Sequence, residues 1–252
     1  MAIIELRDIT KSYGSFDALR GVNLDIEEGE VTCVLGDNGA GKSTLIKILA
    51  GLHGQTSGEL LIDGSPATFS SPRDAIDAGI ATVYQSLAVV DELSVWRNFF
   101  LGQELSGAFG ILKQAEMKRI CSEQLLEMGI DIPDVDVEIG NLSGGQRQVV
   151  AIARAVYFGA RVVVLDEPTA ALGVKQSGVV LKFIASARDR GVAVVFVTHN
   201  PHHAYMVGDH FTILKLGRQE LNASRDDVTL DELTREMSGG AELEALSHEL
   251  RN

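Results

Sequence analysis

The stretch Gly36-Asp37-Asn38-Gly39-Ala40-Gly41-Lys42-Ser43-Thr44 decides the fold. It fits the pattern G-x-x-x-x-G-K-[ST] without a mismatch. A β-rich apolar run, Val31-Thr32-Cys33-Val34-Leu35, ends directly before it, and Thr44-Leu45-Ile46-Lys47-Ile48-Leu49 opens a helix after it. In that setting the pattern is a phosphate loop. Gly36, Gly39 and Gly41 permit positive φ and close backbone approach, so the loop's N–H groups, with Asp37, Asn38 and Ala40 between the glycines, can turn toward phosphate oxygens. The helix N-terminus adds the positive end of its dipole. Lys42 offers a full charge for the β- and γ-phosphates, Ser43 a hydroxyl for Mg²⁺, and Thr44 a hydroxyl near the α-phosphate.

A second run, Val162-Val163-Val164-Leu165-Asp166-Glu167, reads as a buried strand ending in two carboxylates. A strand apolar on both faces belongs in the middle of a parallel sheet. Asp166 should therefore emerge at the carboxyl edge, where open α/β sheets bind ligands. It is the candidate Mg²⁺ ligand, through water, since Mg²⁺ keeps several waters. Glu167 is the candidate to polarise an attacking water. Val192-Ala193-Val194-Val195-Phe196-Val197 is a third such strand, and Thr198-His199 follows it. The three strands predict an α/β fold with a phosphate-loop, parallel-sheet core. The alternation in Leu24-Asp25-Ile26-Glu27 and Glu59-Leu60-Leu61-Ile62 predicts half-exposed antiparallel strands in the N-terminal part.

A second glycine cluster, Leu142-Ser143-Gly144-Gly145-Gln146, precedes Val149, Ile152, Ala153 and Val156, which lie on one face of a helix. Arg147 and Arg154 fall off that stripe. Ser143 with two glycines at a helix start is a second ready-made anion site. One nucleotide does not need two such sites in one chain, which points to a dimer closing over shared nucleotides.

The phosphate loop, Gln85 in Val83-Tyr84-Gln85, Leu142-Ser143-Gly144-Gly145-Gln146-Arg147-Gln148, Asp166-Glu167-Pro168-Thr169 and Thr198-His199 stand in an order and spacing that resembles the nucleotide-binding domain of ABC transporters. The likeness runs from about Ile3 to Gly217. It implies an ATP-hydrolysing transport subunit with ATP and Mg²⁺. It implies that Tyr13 stacks on adenine, that Gln85 reaches the metal or the attacking water, and that His199 contacts the γ-phosphate. It implies that Ser143, Gly144, Gly145 and Gln146 complete the site of a second copy in a homodimer. It also implies an N-terminal antiparallel β subdomain and a helical subdomain inserted at about 87–145, within a cassette spanning 3–225. One departure stands out. The family usually reads S-A-L-D after the second carboxylate, and here the tract is Ala170-Ala171-Leu172-Gly173. That aspartate normally bonds across the dimer, so its absence bears on coupling between sites and not on the fold.

Three tracts, Glu167 to Lys175, Ser94 to Gly102 and Thr198 to Ala204, are similar to ATPases of simple-sugar importers, the ribose and fructose types. The expected partners are a membrane permease, docked near Ala88 to Gly102, and indirectly a solute-binding protein. The expected location is cytoplasmic, on the inner face of the membrane. Importers of amino acids and exporters of lipid share the core motifs and stay as alternatives. A nucleic-acid-linked relative would need tandem domains, a coiled-coil insertion or a basic surface.

Composition agrees with these limits. The 252 residues carry a formal charge of −13, which argues against a nucleic-acid binder, since that needs a basic face. No apolar stretch of ~18 residues exists to span a membrane. The start, Met1-Ala2-Ile3-Ile4-Glu5, has no basic segment before a long apolar core, so no secretory signal is expected. Cys33 and Cys121 match no metal spacing and read as reduced thiols, with Cys33 in the core. His202 and His203 read as a surface turn after Pro201. From Asp226 the chain is acidic, with Leu230, Leu233, Met237, Leu243, Leu246 and Leu250 at helical spacing, and reads as a solvated terminal helix.

Overall fold

The carboxyl ends of β3 (Val31–Leu35), β7 (Val162–Asp166) and β8 (Ala193–Thr198) meet at one edge of a six-stranded sheet in the computed structural model, which describes residues 2–238. The remaining strands are β1 (Ala2–Tyr13), β2 (Phe16–Glu27), β4 (Ser57–Ile62), β5 (Ser65–Ala67), β6 (Ile80–Val83), β9 (His210–Lys215) and β10 (Arg218–Ser224). The helices are α1 (Lys42–Leu49), α2 (Pro72–Asp77), α3 (Val95–Phe100), α4 (Gln114–Glu127), α5 (Gly144–Tyr157), α6 (Val174–Asp189), α7 (Pro201–Val207) and α8 (Leu230–Met237).

The large sheet has the order β10-β9-β3-β8-β7-β6, parallel from β9 to β6, with β10 antiparallel on its edge. All five residues of β3 are buried, as a covered parallel strand requires. Its pleat sorts them into two layers. Val31, Cys33 and Leu35 enter a core shared with α3 to α6, while Val34 enters a core shared with β1, β2 and α1. β7 divides the same way, with Val163 and Leu165 on one side and Val162 and Val164 on the other. The second sheet, β2-β1-β4-β5, is antiparallel throughout. It covers the face that carries α1, so the α1 helix lies between two sheets.

Register fixes the functional edge. Leu35 pairs with Thr198 on one side and Ile213 on the other, and Asp166 pairs with Val197. β8 thus separates the phosphate-loop strand from the carboxylate strand. Residues that follow Leu35, Leu165 and Thr198 must leave the sheet together.

Between β6 and β7 the chain is mainly helical. Trp96, Phe99 and Phe100 of α3 and Met117, Cys121 and Leu125 of α4 are buried in the same core as β3 and β7. Asp131 to Asp134 separates α4 from α5. Cys33 is fully buried, which holds its thiol far above the ordinary value. The acidic end differs from expectation. Leu233 of α8 is fully buried and packs with Val228 in the core shared with α7. The helix starts on a capping box, with Thr229 and Glu232 bonding each other's backbone. An amphipathic helix with a leucine to bury docks where a neighbour offers an apolar face, so α8 is a packed helix and not a solvated one. Leu243, Leu246 and Leu250 lie outside the described residues. No helix among the described residues is long and apolar enough to cross a membrane.

Candidate functional site

The loop from β3 to α1 has positive φ at Gly36 (146°), Gly39 (83°) and Gly41 (113°). At Gly36 a Cβ would stand 2.4 Å from the Leu214 carbonyl oxygen and 2.9 Å from Ala40 Cβ, so no other residue fits. Gly41 is the N-cap of α1, and no side chain caps that helix. The N–H groups of Lys42 and Ser43 are therefore left for an anion, while Thr44 N donates to Gly41 O at 3.0 Å. Ser43 is exposed at this helix start and Thr44 half-buried. Lys42 is 7% exposed, and its ammonium donates to Gly36 O at 2.6 Å and Asp37 O at 3.1 Å. Burial pushes the Lys42 pKa down, against the pull of Glu167, Asp37 and Asp166.

The ammonium of Lys42 also lies 3.9 Å from Glu167 Oε1. The other oxygen, Oε2, is 2.9 Å from His199 Nδ1. An ionised carboxylate only accepts, so Nδ1 is the donor. Glu167 thus spans the phosphate loop and the residue after β8. Its own φ is +49°, a left-handed conformation that costs an L-residue of order 1–2 kcal/mol. The bond from Glu167 N to Val197 O at 2.9 Å holds it there. Strain maintained by surrounding bonds is common at functional sites. Asp166 is half-buried, and its carboxyl is held above the usual 3.8 by burial first and by the Glu167 charge second. Tyr84, beside it, is raised by burial and by Asp166.

Ser143 to Gln146 form the start of α5. Ser143 Oγ accepts from Gln146 N at 3.3 Å, and Gln146 Oε1 accepts from Ser143 N at 3.0 Å. This reciprocal box fixes the helix entry. A Cβ at Gly144 would meet Leu172 Cδ2 at 2.8 Å, and one at Gly145 would meet Gln176 O at 3.0 Å. The cluster is therefore seated on the tract after β7 and on α6.

The fold brings Lys42, Asp166, Glu167 and His199 together, but three predicted groups stand elsewhere in the chain. Ser143 to Gln146 are held at Leu172 and Gln176. Tyr13 is 42% exposed at the end of β1, edge-on to His53 at 5.8 Å, with Lys11 Nζ 5.2 Å from its ring centre. Gln85 is exposed just after β6. One segment departs from its sequence reading. Residues 201–207 form α7 rather than a surface turn, and His203 is half-buried with Nδ1 3.0 Å from Thr169 Oγ1. Burial pushes the His203 pKa down, aided by His202 and His199. Arg154, off the apolar stripe, is half-buried and donates to Leu101 O at 2.5 Å. The spacing of His203 after Pro201 carries no hint of a partner 34 residues away in the chain.

Residues 19–170 match the ABC transporter family. The chain is 42% identical over 240 residues to the xylose/arabinose import ATP-binding protein of Sulfolobus acidocaldarius, covering 95% of each. It is 41% identical over 247 residues to the fructose import ATP-binding protein of Rhizobium meliloti, again covering 95% of each. A ribose import ATP-binding protein of Yersinia pestis is 39% identical over 237 residues, which are 94% of this chain but 46% of that longer protein. Among solved structures, a nucleotide-free ATP-binding cassette from an ABC transporter superposes with a TM-score of 0.79 at 25% identity, covering 89% of this chain and 92% of that one. A dimeric cassette in a post-hydrolysis state bound to ADP and phosphate superposes with a TM-score of 0.73 at 30% identity, covering 88% and 98%. This chain belongs to the ABC transporter family and is an ATP-hydrolysing cassette of it.

Proposed function

We propose that this chain powers import of a simple sugar, a pentose or hexose, through a separate membrane permease. The observation that carries the reading is the likeness over 95% of both chains to pentose and fructose import proteins. The working unit is a homodimer with two equivalent composite sites, and the dimeric relative supports that arrangement. In each site Gly36 to Thr44 cradle the phosphates and Tyr13 stacks on the base. Ser143 to Gln146 of the second copy close over the γ-phosphate.

Mg²⁺ fits the residues present. Ser43 and Asp166 offer hard oxygen donors, and among the described residues no cluster of three or more His, Cys, Asp or Glu forms a closed metal cage. A cation held by one or two protein oxygens and by phosphates suits Mg²⁺. When bound it would neutralise charge on the phosphate oxygens. Gln85, which follows β6, would reach the metal or the attacking water. Lys42 exchanges the Gly36 and Asp37 carbonyls for phosphate oxygens. Glu167 accepts a hydrogen bond from the attacking water and orients it in line. His199 steadies Glu167 through Nδ1 and contacts the γ-phosphate.

A groove of about 250 Å³ between β6, α3 and α5, lined by Val83, Val89, Val150, Ala155 and Phe158, is the docking place for a permease helix. It lies next to the residue 88–102 segment and to Tyr84, one residue before Gln85. Movement at Gln85 can therefore be felt by the partner. A cassette working this way sits on the inner face of the membrane. Deleting the chain from its host and measuring uptake of labelled xylose, fructose, ribose and amino acids tests the reading. Loss of uptake of a sugar alone supports it. Loss confined to amino acids would overturn it.

A further inference from the structure

The loop after β7 is gripped twice by the segment after β8. Glu167 meets His199, and two residues on, Thr169 meets His203. Thr169 is 6% exposed, and its Oγ1 lies 3.0 Å from His203 Nδ1. His203 is itself fixed at the start of α7. Its N–H donates to Asn200 Oδ1 at 3.1 Å, and Asn200 N donates to Thr198 Oγ1 at 3.1 Å. Thr198 is 1% exposed and pairs with Leu35, the residue before the phosphate loop. A chain of hydrogen bonds, side chain to backbone between Thr198 and Asn200 and between Asn200 and His203, and side chain to side chain between His203 and Thr169, thus runs from the strand beside the phosphate loop to the loop that carries Glu167.

That loop needs such a hold. Glu167 (φ +49°) and Ala171 (φ +59°) are both left-handed without being glycine. Such residues persist only where surrounding structure over-determines them. Backbone bonds from Glu167 N to Val197 O and from Ala170 N to Glu167 O act at the Glu167 end. Between the two strained residues, Thr169 supplies a buried hydroxyl whose partner is His203. A buried hydroxyl left without its partner is costly, and a shift of the loop that carries Glu167 relieves that cost.

We propose that His203 is a positioning residue for ATP hydrolysis, acting through Thr169 to hold the Glu167 carboxylate in place. It does not touch the nucleotide. The proposal rests on Glu167 being the group that orients the water, and the test separates the two ideas.

Full-length His203→Ala, His203→Asn, Thr169→Val and Thr169→Ser are assayed for ATP turnover, ATP affinity and melting temperature. His203→Ala and Thr169→Val should each lower kcat by about tenfold, a loss typical of a misplaced reacting group. The KM for ATP should stay within about twofold of wild type. The double variant should be no slower than the slower single variant. His203→Asn and Thr169→Ser should regain most of the rate, because an amide or a hydroxyl can still make the bond. With Glu167→Gln already present, His203→Ala should change the residual rate by less than about twofold. Thr169→Val keeps the side-chain shape and carries the test if His203→Ala does not fold. A kcat near wild type in both variants overturns the proposal, as does a loss that multiplies in the double variant. Wild-type turnover in Glu167→Gln removes the assignment of Glu167 and the latch with it. A slow Glu167→Gln that His203→Ala slows tenfold further removes the latch alone.

Discussion

His199 Nδ1 donates to Glu167 Oε2 over 2.9 Å, while the other Glu167 oxygen faces Lys42 at 3.9 Å. One carboxylate thus joins the residue after β8 to the phosphate loop. Glu167→Gln keeps the size and an oxygen for His199 but loses the charge. It should bind ATP with near-normal affinity and hydrolyse it at least ~100-fold more slowly, the scale of losing a positioned proton acceptor. ATP-bound dimer should accumulate and be visible by gel filtration. Turnover near wild type would take the water-orienting role away from Glu167.

Lys42 spends its ammonium on two loop carbonyls, Gly36 O and Asp37 O, at 2.6 and 3.1 Å. Burial disfavours its charge, so a bound phosphate is a better partner than either carbonyl. Lys42→Ala should raise the Kd for ATP by more than ~10-fold, about 1.4 kcal/mol or more. The rise in melting temperature on adding ATP should disappear with it. Fluorescence titration with a nucleotide analogue measures the first effect. An unchanged Kd would contradict the phosphate-loop assignment.

The parts of this fold legible in the sequence are those fixed by local chemistry. Val31 to Leu35, Val162 to Leu165 and Ala193 to Val197 are apolar on both faces, and all lie buried in the parallel sheet. Gly36, Gly39 and Gly41 take the positive φ that their spacing implies. Ser143 caps α5 as its place before two glycines suggests. What stayed hidden depends on distant partners. The left-handed turn at Glu167 has no glycine to announce it, because Val197 and His199 hold it from another strand. His203 has a buried partner that lies far off in the chain. Leu233 gives the same helical spacing whether α8 is free or docked, and only the apolar face beside α7 decides.

Asp166 is half-buried, and burial and Glu167 hold its carboxyl above the usual 3.8. A carboxyl with a raised pKa binds its proton more tightly in the folded state than in the unfolded one. Its contribution to stability is therefore present at low pH and is lost as the pH rises through the folded value. At neutral pH the charged Asp166 destabilises the nucleotide-free protein. Asp166→Asn should melt higher than wild type at pH 8, and the gap should narrow as the pH falls toward the carboxylate range. The same variant should lose ATP hydrolysis. Scanning calorimetry across pH without nucleotide checks the first statement. A gap that widens on acidification would contradict a raised Asp166 pKa.

Ser143 and Gln146 are already satisfied within their own chain by the box at the start of α5. Ser143→Ala should cost about 1 kcal/mol of stability through the lost cap, with a small effect on ATP affinity. Ser143→Arg places a long side chain at the surface expected to close on a second copy. It should block ATP-dependent dimerisation in the Glu167→Gln background and abolish turnover. Mixed with Lys42→Ala subunits, it should restore one working site where the intact loop and the intact signature meet. No activity in the mixture, with both proteins folded, would count against composite sites.

Gly173 stands where the motif resemblance leads one to expect an aspartate, and the backbone does not demand glycine there. Its φ is −69°, and a Cβ built on it meets nothing within 4 Å. It is the N-cap of α6, whose start has no side-chain cap and no acidic residue in its first turn. An aspartate in that extended conformation can accept from the first-turn N–H groups and oppose the helix dipole. Replacing a glycine cap gains only a few tenths of a kcal/mol, with a similar increment from the dipole. Gly173→Asp should therefore raise the melting temperature by about 1–3 °C in a chain of this size. The larger effect belongs to the dimer. If the aspartate bonds to the opposite phosphate loop, Gly173→Asp in the Glu167→Gln background should dimerise at lower ATP concentration. The two readouts separate the two roles. A higher melting temperature with unchanged dimerisation would leave Gly173→Asp as a helix cap and nothing more.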